Sequence, residues 1–378
     1  MLQRAKGTRD FLPEDMILRN TLIAVLREVF ELYGFLPFET PILERYDVLS
    51  EKYAGGADIL KETFRLRDQG KRELGLRYDL TVPFARVIAM NPQLKLPFKR
   101  YQIGPVFRDG PIKLARYREF YQCDVDIVGS PALVADAELL LAAKEVFRRL
   151  KLDVVLRVNS RKISNALFSL AGIPKESWSD VLLAVDKLEK IGDEGVRKEL
   201  EERGISLNVA ERILQLVALK GTNEEKLKAL EKVIPNNDGL QEIREIVRYV
   251  PDVIFDVSLA RGFAYYTGVV FEAYLRNSLI TSSVAAGGRY DKMIGEFIGT
   301  GEYPATGISF GLDVIMDALR ERGKKQTIVE LYVIPIQTLE RSFSIAEQLR
   351  KEGLKIDIDV NERGVKKSYK TGNRSVWS

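Results

Sequence analysis

The chain has 378 residues, 46% of them hydrophobic and 30% charged, and its 58 Lys and Arg against 54 Asp and Glu leave a net charge of +4. That length can hold two or three domains with a sizeable core, and so weak a basic balance permits nucleic-acid contact through local patches without pointing to it. With no histidine and a single cysteine, Cys123, the chain has no imidazole for acid/base or nucleophilic chemistry, no intrachain disulfide and no multi-cysteine metal site.

No apolar run approaches the roughly 20 residues that span a bilayer. The opening MLQRAKGTRDF lacks an apolar signal core, so a soluble, cytoplasmic protein is expected. Residues 13–33 carry Ile17, Leu22, Val25, Leu26, Val29, Phe30 and Tyr33 at helical spacing, and Gly34 stands where a helix C-cap belongs. Residues 35–43 read as a strand broken by Pro37 and Pro41. Residues 74–86, LGLRYDLTVPFAR, place Asp79 and Thr81 two apart after a short strand. Residues 101–107 and 120–128 read as two antiparallel strands joined by a polar loop rich in Arg and Gly. Gln122, Asp124 and Asp126 are two apart and share one strand face. Such a face lines a polar cavity, with Arg108 at its rim; the alternative is a solvated outer face.

Residues 135–150 form a helix with Asp136 near its start and Arg148 and Arg149 in its last turn, as the helix dipole prefers. Residues 154–158 are a short strand. From 160 to 250, charge-rich helical periods recur at 175–190, 194–203, 209–219, 224–233 and 239–249, the pattern of an inserted helical subdomain. Strand character returns over 252–274 and 281–286. Within it, 258–274 reads SLARGFAYYTGVVFEAY, and 285–291 reads AAGGRYD, with two glycines where a backbone must come close to something. A helix over 291–297, a strand over 306–311, a helix over 312–322 and a charged linker follow. Residues 328–334, 339–352 and 355–360 then make strand, helix, strand, the start of an α/β domain.

Several of these words resemble, in the same order, those of the histidyl-tRNA synthetase family, which are class II aminoacyl-tRNA synthetases. KGTRDFLP at 6–13 is similar to the family's start, and RYDLT at 77–81 to its histidine-binding signature. FRDG at 107–110 with RYREFYQCDVDIVG at 116–129 resembles motif 2 and its return strand. LARGFAYYTG at 259–268 and AAGGRYD resemble two histidine motifs, and PATGISFGLD at 304–313 the start of motif 3. The Tyr121-Gln122-Cys123 wording resembles archaeal and eukaryotic members.

The resemblance implies an α+β fold: a class II antiparallel β-sheet flanked by helices. It divides the catalytic core into residues 1–159 and 251–322, with a helical insertion over 160–250 lying over the tRNA acceptor arm. An anticodon-binding domain over 327–378 is expected to be incomplete, because the ending YKTGNRSVWS does not resemble the family's continuation. The N-terminal helix and strand become motif 1 and a homodimer interface. The implied activity joins L-histidine to ATP as histidyl-adenylate and passes it to tRNA(His), with Mg²⁺ on the ATP phosphates through protein ligands that the sequence does not name. Arg108 and Arg261 are implied as catalytic, and Arg108, Arg116 and Arg261 as ATP-binding. Asp126 and Tyr266 are placed at the histidine ring, and Asp79, Thr81 and Gln122 around its α-amino group. Leu80 and Tyr265 lie beside them, and Gly287 and Gly288 form a pocket wall with Arg289 or Tyr290 beyond.

Three positions depart from the family's pattern. Gly110 stands where motif 2 has an acid, Val314 where motif 3 has an Arg, and Ala264 where an Asp often precedes the paired tyrosines. The first two bear on ATP binding, and Arg320 or Arg322 could replace the missing Arg. The alternative reading is a non-catalytic paralogue resembling the regulatory subunit of ATP phosphoribosyltransferase, favoured by the short C-terminus and the altered motif 3.

Overall fold

A computed structural model describes residues 2–50, 60–112, 117–260, 265–299, 301–320 and 327–360, with the backbone alone at residue 189. The chain divides into two compact units, Met1–Thr8 with Val25–Ile315, and Arg9–Ala24 with Met316–Ser378.

Helix α1 spans Pro13–Leu32. Its end follows from Gly34, whose φ of 74° lies in the left-handed region, and the Phe35 N–H returns to the Phe30 carbonyl at 2.9 Å. A glycine there closes a helix at no steric cost. The single strand expected over 35–43 is instead two short pieces. Strand β1 (Leu36–Pro37) runs parallel to β5 (Phe98–Phe107), whereas β2 (Leu43–Arg45) joins β3 (Arg65–Arg67) and β4 (Glu73–Leu76) in a separate three-stranded sheet. A proline has no N–H for a ladder, so Pro37 ends the first piece and Pro41 lies in the gap.

After α2 (Tyr46–Leu49) and α3 (Thr81–Met90), β5 pairs antiparallel with β6 (Glu119–Val128) along its whole length, Phe98 opposite Val128 and Phe107 opposite Glu119. These are the two expected strands, the first longer by three residues because Phe98, Lys99 and Arg100 also find partners. The large sheet also takes β7 (Val154–Ser160), β8 (Ile254–Phe255), β9 (Val269–Leu275), β10 (Ala285–Arg289) and β11 (Ala305–Gly311). Its described order is β1-β5-β6-β11-β10-β9-β7-β8, antiparallel except for the β1–β5 and β7–β8 pairs. One face carries an aromatic core: Phe30 of α1 meets Tyr101 and Phe310 at 5.6 Å between ring centres, and Phe147 of α4 (Val134–Arg149) meets Phe310 at 5.8 Å. Arg289 forms a buried ion pair with Asp136 of α4, which also accepts a 2.7 Å hydrogen bond from Thr306. Arg289 therefore ties the helix to this core face.

Residues 160–250 are helical, as their charge-rich periods predict: α5 (Arg161–Leu170), α6 (Trp178–Val185), α7 (Leu188–Glu202), α8 (Leu207–Val217), α9 (Asn223–Val233) and α10 (Asp238–Tyr249). Helix α5 has no counterpart in the sequence reading. The helix expected over 175–190 breaks after Val185, and Gly192 interrupts α7 with φ 67°. Several of these helices share their own apolar core around Phe168, Val181, Val196, Leu200 and Ile213. Helices α11 (Met293–Ile298) and α12 (Leu312–Arg320) follow β10 and β11 in the chain. In the second unit β12 (Leu331–Val333), α13 (Leu339–Lys351) and β13 (Ile356–Ile358) form the expected strand-helix-strand. The strands are parallel, and Ala346 packs on Ile356 and Ile358. Residues 361–378, where the altered ending is expected, lie outside the described residues.

Candidate active site

The register of the large sheet brings its functional residues into rows. Arg100 stands opposite Asp126, Asp126 opposite Gly307, and Gly307 opposite Gly288. In the next row Gln102 faces Asp124, Asp124 faces Ser309, and Ser309 faces Ala286. Gln122 follows one row further, between Gly104 and Gly311. Glycine makes room on this face. A methyl at Gly307 would lie 2.0 Å from Asp126 Oδ1, and one at Gly288 would press on the Tyr266 ring at 2.9 Å.

The resulting cavity has a water-centre volume of about 50 Å³, several times what one water needs, and is lined by Asp79, Thr81, Arg108, Gln122, Asp124, Asp126, Tyr265, Tyr266, Gly287 and Tyr290 among others. The face of Gln122, Asp124 and Asp126 is thus a cavity wall, not a solvated surface. Leu80 is buried, and its carbonyl accepts from Arg100 at 3.3 Å; neither it nor Gly288 is among the lining residues. Arg116 and Arg261 lie outside the described residues.

Asp126 is held on both oxygens. Its Oδ1 accepts from the Tyr290 hydroxyl at 2.6 Å, and its Oδ2 lies 2.7 Å from the fully buried Arg100 guanidinium. Arg100 also stacks 4.1 Å from the centre of the Phe84 ring on α3. Burial raises the Asp126 carboxyl above its ordinary range, while Arg100 and Tyr290 pull it back down. Asp79 sits just before α3, where its Oδ1 accepts the Val82 N–H at 3.0 Å. Burial pushes it up to about 6, against the Val82 N–H and the Arg108 charge. Asp124 is pushed further, to about 7, because burial and the neighbouring Asp126 outweigh Arg100 and the Ser309 hydroxyl. Arg108 follows β5; its Nε donates to the Tyr78 carbonyl at 3.1 Å and its guanidinium lies 5.1 Å from the Phe120 ring centre. The Tyr265 and Tyr266 rings lie 4.6 Å apart at a tilt of 55°, and Tyr265 meets Tyr290 edge-on at 6.1 Å. Sequence reasoning did not assign Arg100, Ser309 or Gly307; only the strand register identifies them.

A family model described as histidyl-tRNA synthetase matches residues 7–315. Histidine--tRNA ligase 1 of Bacillus cereus is 46% identical over 383 residues, covering 99% of this chain and 90% of that protein. This chain belongs to the histidyl-tRNA synthetase family. The histidine--tRNA ligase of the archaeon Aeropyrum pernix is 40% identical, with 94% of this chain and 84% of that protein covered. Among solved structures, histidyl-tRNA synthetase from Nostoc sp. PCC 7120 superposes with a TM-score of 0.85 at 30% identity, over 99% of this chain and 90% of that one. A Bacillus halodurans structure titled as an ATP phosphoribosyltransferase regulatory subunit/histidyl-tRNA synthetase shares the fold, with a TM-score of 0.82 at 22% identity over 99% of this chain and 96% of that one. The synthetase family likeness thus extends to bacterial and archaeal relatives together.

Two departures from the synthetase pattern acquire neighbours. The Glu62 carboxyl carbon lies 2.7 Å from where a side chain at Gly110 would begin, so an acid reaches that place from elsewhere in the chain. Asp313, beside Val314, accepts the Tyr121 N–H at 3.1 Å near the start of β6, just past the last β6–β11 pair. Arg320 is engaged by Asp15 and Asp317 at 2.6 and 2.8 Å. Arg322 and Ala264 lie outside the described residues.

Proposed function

We propose that the chain is a histidine--tRNA ligase that activates L-histidine with ATP and transfers the histidyl group to the 3′ end of tRNA(His). One observation carries this reading: in a chain of this family, a cavity of carboxyls and tyrosines opens beside Arg108. Charge builds on the α-phosphate oxygens when the histidine carboxylate attacks, and an always-charged, forked guanidinium suits those oxygens. Arg108 would supply it from motif 2, with Arg261 opposite. Asp126, held by Arg100 and Tyr290, and Tyr266 would meet the ring. A site that hydrogen-bonds both edges of a ring rejects analogues that leave its groups unpaired. Asp79, Thr81 and Gln122 would hold the α-amino group.

Glu62 would supply the acid that motif 2 lacks at Gly110, and Arg116 would complete the ATP contacts. Mg²⁺ enters this reading with ATP. No group of three or more acidic, Cys or His ligands is present among the described residues, and Mg²⁺ usually keeps phosphates and waters as most of its ligands. The helices over 160–250 would cover the acceptor arm, residues 327–378 would be the anticodon-binding part, and the molecule would be a homodimer. The Tyr121-Gln122-Cys123 wording supports the archaeal and eukaryotic type. Among the described residues no helix is long and apolar enough to cross a membrane. ATP–pyrophosphate exchange that rises on adding histidine, and not other amino acids, is the expected result. No exchange under any condition, with histidine still bound, would favour a regulatory paralogue.

A further inference from the structure

The family resemblance assigns roles to Gln122 and Asp126 and passes over the residue between them. Asp124 is only 3% exposed, yet it lines the cavity. The Ser309 hydroxyl donates to its carboxylate, but among the described residues its Oδ1 meets no donor. Two positions away on the same strand face, Gln122 Oε1 is also buried without a donor. Asp126 Oδ2 also accepts no hydrogen bond among the described residues, but the Arg100 guanidinium stands 2.7 Å from it as an ion pair, and Tyr290 donates to its Oδ1. Three carboxyls, Asp79, Asp124 and Asp126, line this cavity with the Arg108 guanidinium at the rim; the buried Arg100 stands behind Asp126, and the buried Arg77 feels the charges of both Asp124 and Glu39. Counted together, these four carboxyls exceed the three guanidiniums by one, and Asp124 Oδ1 and Gln122 Oε1 have no donor although Arg100 Nε and Nη1, behind Asp126, have no acceptor. An ammonium group offers three donors, no acceptor and one positive charge, whereas a water could satisfy the acceptors but not the charge.

We propose that Asp124 is a substrate-recognition residue, whose carboxylate accepts a hydrogen bond from the α-ammonium of the bound amino acid beside Asp79 and Gln122. This rests on the reading of the cavity as a histidine site. It also orients the ligand, with the ammonium inward and the carboxylate turned toward Arg108. Charge-assisted bonds of this kind are about twice as strong as neutral ones, so the selection for a free amino group lies in this pair of acids.

The test compares the unaltered chain with Asp124→Asn, which keeps the shape and the Ser309 contact but not the charge. Dissociation constants are measured for histidine, for histidinol, which lacks the carboxylate, and for imidazolepropionate, which lacks the amino group. Histidine and histidinol should each bind tenfold or more weakly to the variant, while imidazolepropionate changes less than threefold. Unchanged histidine affinity in the variant would overturn this proposal alone. Equal loss for all three ligands would overturn the ammonium assignment. Failure of the unaltered chain to bind histidine would overturn both this proposal and the function beneath it.

A melt without ligand separates recognition from a structural role. The Asp124 carboxyl is held at about 7 against an ordinary 3.8 by burial and by Asp126 and Asp79, opposed by Arg100 and Ser309. A raised folded-state value means that stability is lost as pH rises from about 4 to about 7. Asp124→Asn cannot ionise, so its melting temperature should exceed the unaltered chain's at pH 7.5, with the gain vanishing toward pH 4. Asp124→Ser, smaller but also uncharged, should weaken histidine in the same way. A variant destabilised equally at both pH values would mark Asp124 as structural and overturn the proposal.

Discussion

Two residues deserve separate experiments because they hold charge in different places. Arg108 sits at the rim, tied to the Tyr78 carbonyl, where it can meet a phosphate. Arg108→Ala should slow adenylate formation by about 10²–10³-fold and raise the apparent ATP constant; pre-steady-state exchange measures both. Arg100 is fully buried and faces Asp126 at 2.7 Å. Removing one partner of a buried pair leaves the other uncompensated, at a cost of about 3–5 kcal/mol. Arg100→Met should show that loss in urea unfolding at pH 8. The deficit should shrink at pH 5, because an unpaired Asp126, already raised by burial, then takes up a proton and sheds its charge. Equal loss at both pH values would assign the effect to packing on Phe84 instead.

At the scale of elements, the site depends on how closely β6, β10 and β11 approach one another. Gly307 on β11 is the tightest point, since a methyl there would lie 2.0 Å from Asp126 Oδ1. Gly307→Ala should cost about 1–3 kcal/mol through overpacking. It should also abolish the melting shift that histidine gives the unaltered chain, because Asp126 must turn away from Tyr290. A Gly307→Ala chain with a full histidine shift would show that Asp126 does not have to stay where it is. The neighbouring β4–α3 connection acts differently. It positions Asp79 through a hydrogen bond to its own helix, so its geometry is local.

At the scale of the molecule, Leu36, Ile42 and Leu43 around β1 and β2 are 59%, 40% and 52% exposed in the single chain. A run of exposed apolar side chains near short strand pieces suits a symmetric contact with a second copy. Light scattering at micromolar concentration should give twice 42.9 kDa, and Leu43→Glu should shift the particle toward the monomer mass. Ligand linkage provides a further check. Histidine at a hundred times its dissociation constant should add roughly 2.7 kcal/mol of stability, and alanine should add none.

The sequence by itself determined what depends on local spacing. Helical periods placed α1, α4 and most of the helices over 160–250. The two-residue period placed Gln122, Asp124 and Asp126 on one face, and short words in order identified the family. Asp79, Thr81, Arg108, Gln122, Asp126, Tyr265, Tyr266 and Gly287 converge on one cavity. What the sequence left open depends on register between distant strands. Pairing Arg100 with Asp126 and Asp124 with Ser309 is a property of the β5–β6 and β6–β11 ladders, which no local pattern encodes. The same holds for Arg289 and Tyr290, adjacent in the chain yet sent to opposite faces of the sheet. One reaches Asp136 in the core and the other Asp126 in the cavity. Charge balance in the cavity was likewise decided by tertiary structure, because it depends on which carboxylate the buried Arg100 meets.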